Sequence, residues 1–196
     1  MRRLAIVLAA ALLALTSALP AEAAVPTVTV RDMAFTPSAL RVSVGSEVTF
    51  AFRDSVAHTT TSLEGFWNSG AQANGQNYYL YIGSAGVFPY RCLIHPDMTG
   101  SLQSVPTAST SSSGLFVRWA QFPVPLPFDV HWVSGDAFAV QYRLTTPGAP
   151  WTLWAAHTSL RGQYFHPKAH GTYAVRAFSW NGTAHSGWSP SVTVRY

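Results

Sequence analysis

Apolar and polar residues alternate along this chain in short runs with a period of two, the signature of half-buried β-strands. Residues 27–31 and 40–44 alternate, and Val48, Phe50 and Phe52 share one face of a third run. Val44-Gly45-Ser46-Glu47 is the turn between the last two. Residues 78–82 and 87–92 continue the series. In the latter, Phe88, Tyr90 and Cys92 point the same way because strand side chains alternate. That places the cysteine on the core side at the end of a strand. Nowhere does a convincing helical period emerge.

Residues 106–114 read Pro-Thr-Ala-Ser-Thr-Ser-Ser-Ser-Gly, without one large apolar side chain. This stretch is expected to be a flexible linker. Strand-like runs then return at 115–119, 128–132, 138–144, 151–155, 172–178 and 191–195. Turn signals such as Thr146-Pro147-Gly148 and Asn181-Gly182 separate them. The expected fold class is therefore all-β, with two sandwiches: residues 24–105, a linker at 106–114, and residues 115–196. On that division a fragment of residues 24–107 is expected to fold alone.

The N-terminus departs from the pattern. Met1-Arg2-Arg3 is basic, residues 4–19 are mostly apolar, and Ala21-Glu22-Ala23 has the small-x-small form of a cleavage site. Residues 1–23 read as a secretory signal peptide, so the protein is expected to be exported, periplasmic or extracellular, with no transmembrane anchor. Removing Arg2, Arg3 and Glu22 lowers the formal charge from +4 to +3. Hydrophobic residues make up 48% of the chain and charged residues 10%, which suits a β-rich globular protein.

Export changes the meaning of the single cysteine. Cys92 has no internal partner for a disulfide, and as an exposed thiol it would be a liability in an oxidising compartment. His95 follows at +3 and Met98 at +6, and His58 lies upstream beyond a strand-like run. Two imidazoles and a thiolate in a plane with a weak axial thioether form the electron-transfer copper arrangement. The expected ligands of one copper ion, Cu(I) or Cu(II), are thus His58, Cys92, His95 and Met98. Zinc is the weaker alternative, since its structural sites use stronger ligands than a thioether.

With these residues in view, residues 27–105 resemble the cupredoxins, in particular the amicyanin and plastocyanin-like group. The resemblance rests on Phe35-Thr36-Pro37, Val42-Ser43-Val44-Gly45 and Val48-Thr49-Phe50, and on Asp54-Ser55-Val56-Ala57-His58. Gly86-Val87-Phe88-Pro89-Tyr90-Arg91-Cys92 and His95-Pro96-Asp97-Met98-Thr99-Gly100 complete it. It implies a Greek-key β-sandwich with one type 1 copper. Two departures stand out: Phe52 takes a place where the family often has Asn, and Leu93-Ile94 replace a hydroxyl residue followed by Pro. Both are expected to remove polar contacts around the thiolate and to alter the reduction potential. Residues 114–196 resemble, less specifically, a fibronectin type III sandwich, through Gly171-Thr172-Tyr173-Ala174-Val175-Arg176-Ala177 and Ser186-Gly187-Trp188-Ser189-Pro190.

Other chemistries find little footing. No serine sits in a Gly-x-Ser-x-Gly elbow, paired carboxylates are scarce, and an enzyme is not expected. The basic residues are scattered, which argues against nucleic acid. One cysteine cannot build a binuclear copper centre, and the absence of His-x-His pairs removes a trinuclear cluster. His131, His157, His166, His170 and His185 read as packed or solvated, and Trp119, Trp132, Trp151, Trp154 and Trp188 as core and rim. The expected function is single-electron transfer to a redox partner protein that the sequence does not name. A cell-envelope ligand is expected for the second half. The alternative is a copper-capture or adhesion protein whose copper does not turn over.

Overall fold

The computed structural model describes residues 24–196, and the candidate signal peptide lies outside the described residues. The protein is all-β. Its first half contains β1 (Thr27–Arg31), β2 (Ala34–Thr36), β3 (Ala39–Ser43), β4 (Glu47–Phe52), β5 (Thr61–Ser62), β6 (Asn77–Ile82), β7 (Gly86–Arg91) and β8 (Thr99–Val105). Then follow β9 (Thr107–Ser111), β10 (Gly114–Arg118), β11 (Val130–Val133), β12 (Ala137–Leu144) and β13 (Thr152–Thr158). The chain finishes with β14 (Gly162–Tyr164), β15 (Thr172–Asn181), β16 (Ala184–His185) and β17 (Val192–Arg195).

Two sheets face each other in the first half, in the orders β11-β6-β4-β1-β2 and β3-β8-β7-β5. Alternation drives their packing. Val28 and Val30 of β1, Val48, Phe50 and Phe52 of β4, and Leu80 and Ile82 of β6 point inward from one sheet. Phe88 and Tyr90 of β7 and Leu102 of β8 meet them from the other. Tyr90 lies edge-on to both Phe35 and Phe50, at ring-centroid distances of 4.8 and 5.2 Å. This aromatic floor lies directly behind Cys92, two residues along the same face.

A second core gathers Val117 and Trp119 with Phe138, Val140, Phe165, Tyr173 and Val175. It lies between the sheet β14-β10-β9 and the sheet β13-β12-β15-β16, in which β17 also pairs with β15.

Two expectations fail. Residues 107–111 of the predicted linker form β9, which pairs antiparallel with β10 in the register Thr107↔Arg118 to Ser111↔Gly114. The side chains of this strand are mostly exposed, so backbone hydrogen bonds hold it and its Ser/Thr composition gave no apolar signal. The run expected at 128–132 does form a strand, β11, but it joins the first sheet. It pairs parallel with β6, and Val133 is fully buried in the first core. Trp132 and His131 stack on Tyr81 and Tyr78 of the neighbouring strand. The halves also meet at the bridges Ser84↔Ala120 and Val87↔Gly187, and the buried Ser179 hydroxyl donates to the Ala85 carbonyl at 2.8 Å. Among the described residues no helix is long and apolar enough to cross a membrane.

Candidate metal centre

The site lies at one end of the first sandwich, where β7 runs out at Arg91 and the chain turns back into β8. Cys92 N–H donates to the Met98 carbonyl and Met98 N–H to the His95 carbonyl, both at 3.0 Å. These two bonds close residues 92–98 into one tight loop. The segment between β4 and β5 supplies the other histidine: His58 exchanges backbone hydrogen bonds with Gln72 at 3.1 and 2.8 Å, which anchors this segment.

Three donor atoms converge there. His58 Nδ1 and His95 Nδ1 are 3.0 Å apart, and Cys92 Sγ lies 3.8 Å from the first and 3.6 Å from the second. His58 and Cys92 are fully buried and His95 is half-buried. A point equidistant from the three atoms of this triangle lies about 2.0 Å from each, close to the roughly 2.0 Å of a metal–imidazole bond and 2.3 Å of a metal–thiolate bond. The donor set therefore fits a single first-row metal ion. It is the one cluster of three or more His, Cys, Asp or Glu donors among the described residues. Met98 is buried and lines the same surface depression as His95, together with Met33, Ile94, Pro96 and Asp97.

Hydrogen bonds orient the donors. The Nε2–H of His58 donates to Asp54 Oδ2 at 3.1 Å, which leaves Nδ1 unprotonated and aimed at the sulfur. Asp54 is itself held by the amides of Met33 at 3.1 Å and Ser55 at 2.8 Å. The Met33 amide above all, with help from His58, lowers its carboxyl pKa to about 2. Asp54 thus stays an acceptor throughout the neutral range, so His58 keeps one tautomer.

Phe52, Leu93 and Ile94 bring no polar side chain to the thiolate, and its polar contacts come from the backbone. The amides of Thr59 and His95 point at Cys92 Sγ at 3.3 and 3.4 Å. Thr59 also accepts the Leu93 N–H on its hydroxyl at 2.8 Å, tying the two ligand-bearing segments together. Thr59 was not singled out in the sequence. Its only signal is a small hydroxyl residue directly after the histidine, which is too common to read alone. The remaining histidines go elsewhere: His157 packs on Trp180, His185 on Phe178, and His166 and His170 flank Tyr196.

Neither a family model nor a curated protein matches this chain. Solved structures do. A reduced amicyanin variant is 26% identical over 40% of this chain and 80% of its own, with a TM-score of 0.39. An oxidised amicyanin variant is 25% identical over 41% of this chain and 81% of its own, also at 0.39. A purple cupredoxin from Nitrosopumilus maritimus is 22% identical over 40% of this chain and 98% of its own, at 0.38.

Proposed function

We propose that this is an exported blue copper protein that carries single electrons. The observation that supports this most is the buried triangle of two imidazole nitrogens and one thiolate sulfur, with a buried methionine on the same loop. Soft sulfur donors beside imidazoles favour copper over harder ions, and a copper ion held there supplies one-electron exchange between Cu(I) and Cu(II). The chain's own residues do the rest. Asp54 holds the His58 ring, two amides partly neutralise the Cys92 sulfur, and the aromatic floor keeps water from behind the site. Donors braced this way change position little between oxidation states, which lowers the reorganisation that limits electron exchange. Met98, buried in the same depression as His95, would supply the weak fourth donor to a copper ion held there. His95 is the edge open to a partner, framed by exposed Met33 and Pro96.

We read the second half as fibronectin type III-like and as the docking module. The Tyr173 hydroxyl donates to the Ala169 carbonyl at 2.7 Å, as a corner tyrosine does in such sandwiches.

Adding Cu(II) to the purified protein and recording its visible spectrum tests the reading. An intense sulfur-to-copper band is expected, and Cys92→Ser should abolish it. An equally strong band in the serine variant sinks the ligand assignment. Reversible potentiometric cycling assigns electron transfer, whereas tight retention without cycling assigns capture. Met98→Gln should lower the potential while the blue colour persists, because a harder oxygen donor favours Cu(II).

A further inference from the structure

Two of the four candidate donors, His95 and Met98, line a depression of about 440 Å³ that is open to solvent. The other two, His58 and Cys92, are fully buried behind them. Of the three methionines in the chain, Met1 lies in the candidate signal peptide, and the remaining two both line this depression. Met98 is buried, whereas Met33 is 49% exposed.

Met33 occupies an unfavourable place in the backbone. β1 and β2 are joined by a two-residue turn, Asp32-Met33, between the paired residues Arg31 and Ala34. Both turn residues have positive φ, 53° and 57°. A tight hairpin turn of this hand favours Asn or Asp followed by Gly, because a larger side chain crowds the left-handed backbone. Asp32 obeys that rule and Met33 breaks it.

The backbone duty of residue 33 does not call for methionine. Its N–H donates to Asp54 Oδ2 at 3.1 Å, the oxygen that also accepts from His58 Nε2 at 3.1 Å. Glycine would donate the same hydrogen bond with less strain. Core packing does not call for methionine either, since half of the residue is in water. Methionine does bring a flexible, polarisable thioether to the depression that leads to the metal centre.

We propose that Met33 is a transient ligand for Cu(I) on its way into and out of the buried centre. This rests on the copper site proposed for His58, Cys92, His95 and Met98. A thioether is a soft donor that selects Cu(I). Met33 would take the ion in place of one donor of its carrier, and His95 and Met98 would then take it over towards Cys92. Each exchange swaps one ligand for another and leaves the oxidation state unchanged. Met33 does not hold the ion at rest, so it speeds entry and exit by the same factor and leaves the affinity alone. Cu(II) prefers nitrogen and oxygen donors, which His95 and Asp97 offer in the same depression, so its entry does not depend on the thioether.

The test is stopped-flow loading of the metal-free full chain. Cu(I) is supplied under nitrogen as its coloured bicinchoninate complex, whose colour fades as the ion is taken up, and Cu(II) is supplied separately. Met33→Leu keeps the apolar bulk and removes the sulfur, while Met33→Gly removes the sulfur and suits the turn. In both variants Cu(I) loading should slow by roughly tenfold, with Cu(II) loading within about twofold of the native rate. Excess bicinchoninate should withdraw Cu(I) more slowly by the same factor, with the Cu(I) affinity and the visible spectrum of the oxidised centre unchanged. Cu(I) loading of Met33→Leu at the native rate overturns the proposal and leaves Met33 an apolar contact. Equal slowing of Cu(I) and Cu(II) overturns it, as does a weakened affinity, which would make Met33 a ligand of the resting centre. In any of these cases a native chain that still takes up one copper ion and turns blue leaves the copper site standing. A native chain that takes up no copper overturns both.

Discussion

The two halves place their aromatic side chains differently. In the first, Phe35, Phe50, Phe88 and Tyr90 all turn inward, packed edge to face beneath the donor loop. In the second, an inner cluster around Phe165 and Tyr142 is joined by an outer row. There Arg176 lies over both Trp151 and Trp188, and Trp188 meets Phe178 edge-on at 4.5 Å. Charge follows the same division. Residues 24–114 hold Arg31, Arg41, Arg53 and Arg91 against five acids and are nearly neutral, whereas the second half is clearly basic. One half buries its aromatic rings around the three donor side chains. The other presents aromatic and cationic chemistry on its surface.

That contrast is not a separation, and the sharpest way to break it is to cut the chain. A fragment of residues 24–105 lacks β11 and Val133, so it bares the outer side of β6 and opens the first core. It should melt at least about 10 °C below the full chain by circular dichroism, since each kcal/mol lost moves the midpoint of a small domain by roughly 4–8 °C. An equal midpoint would restore a domain boundary at residue 105.

Phe88→Ala should come next. The ring is fully buried between Phe66 and Trp67, and its removal should cost about 3–5 kcal/mol in a urea titration. A loss below 1 kcal/mol would mean that the aromatic floor is not tightly packed. Asp54→Asn, which weakens the hold on His58 but keeps its size, should lower metal affinity roughly 10–100-fold in a chelator competition. No change would show that the His58 ring needs no brace. Arg176→Met should have the smallest effect, about 1 kcal/mol of stability from the lost stacking on Trp151 and Trp188. It should leave the visible spectrum untouched, and a shifted spectrum would reveal coupling between the outer row and the metal centre.

How much of this was legible depends on what carries the information. β1, β4, β6 and β7 were readable because one apolar face repeats at every second residue. β9 was not, because its exposed Ser/Thr side chains look like a linker and its stability lies in the backbone ladder. β11 was visible as a strand, but alternation cannot say which sheet receives it. Within the site, Cys92, His95 and Met98 share one short loop, and His58 is the only other histidine before residue 131. The meeting of His58, Cys92 and His95 could therefore be anticipated. The parts played by Asp54 and Thr59 could not, since both depend on how the chain bends on either side of His58.

The position of β11 also sets an order of events. Roughly fifty residues separate it from its partner β6, a long-range pairing of the kind that slows folding. During synthesis His58, Cys92, His95 and Met98 all emerge before β11 does. Until about thirty-five further residues have followed Met98, the first sheet lacks its edge strand beside β6. A nascent chain therefore has every donor in hand before the first core is closed by Val133. The edge strand that completes the first sheet thus arrives from the half of the chain that contributes none of the donors.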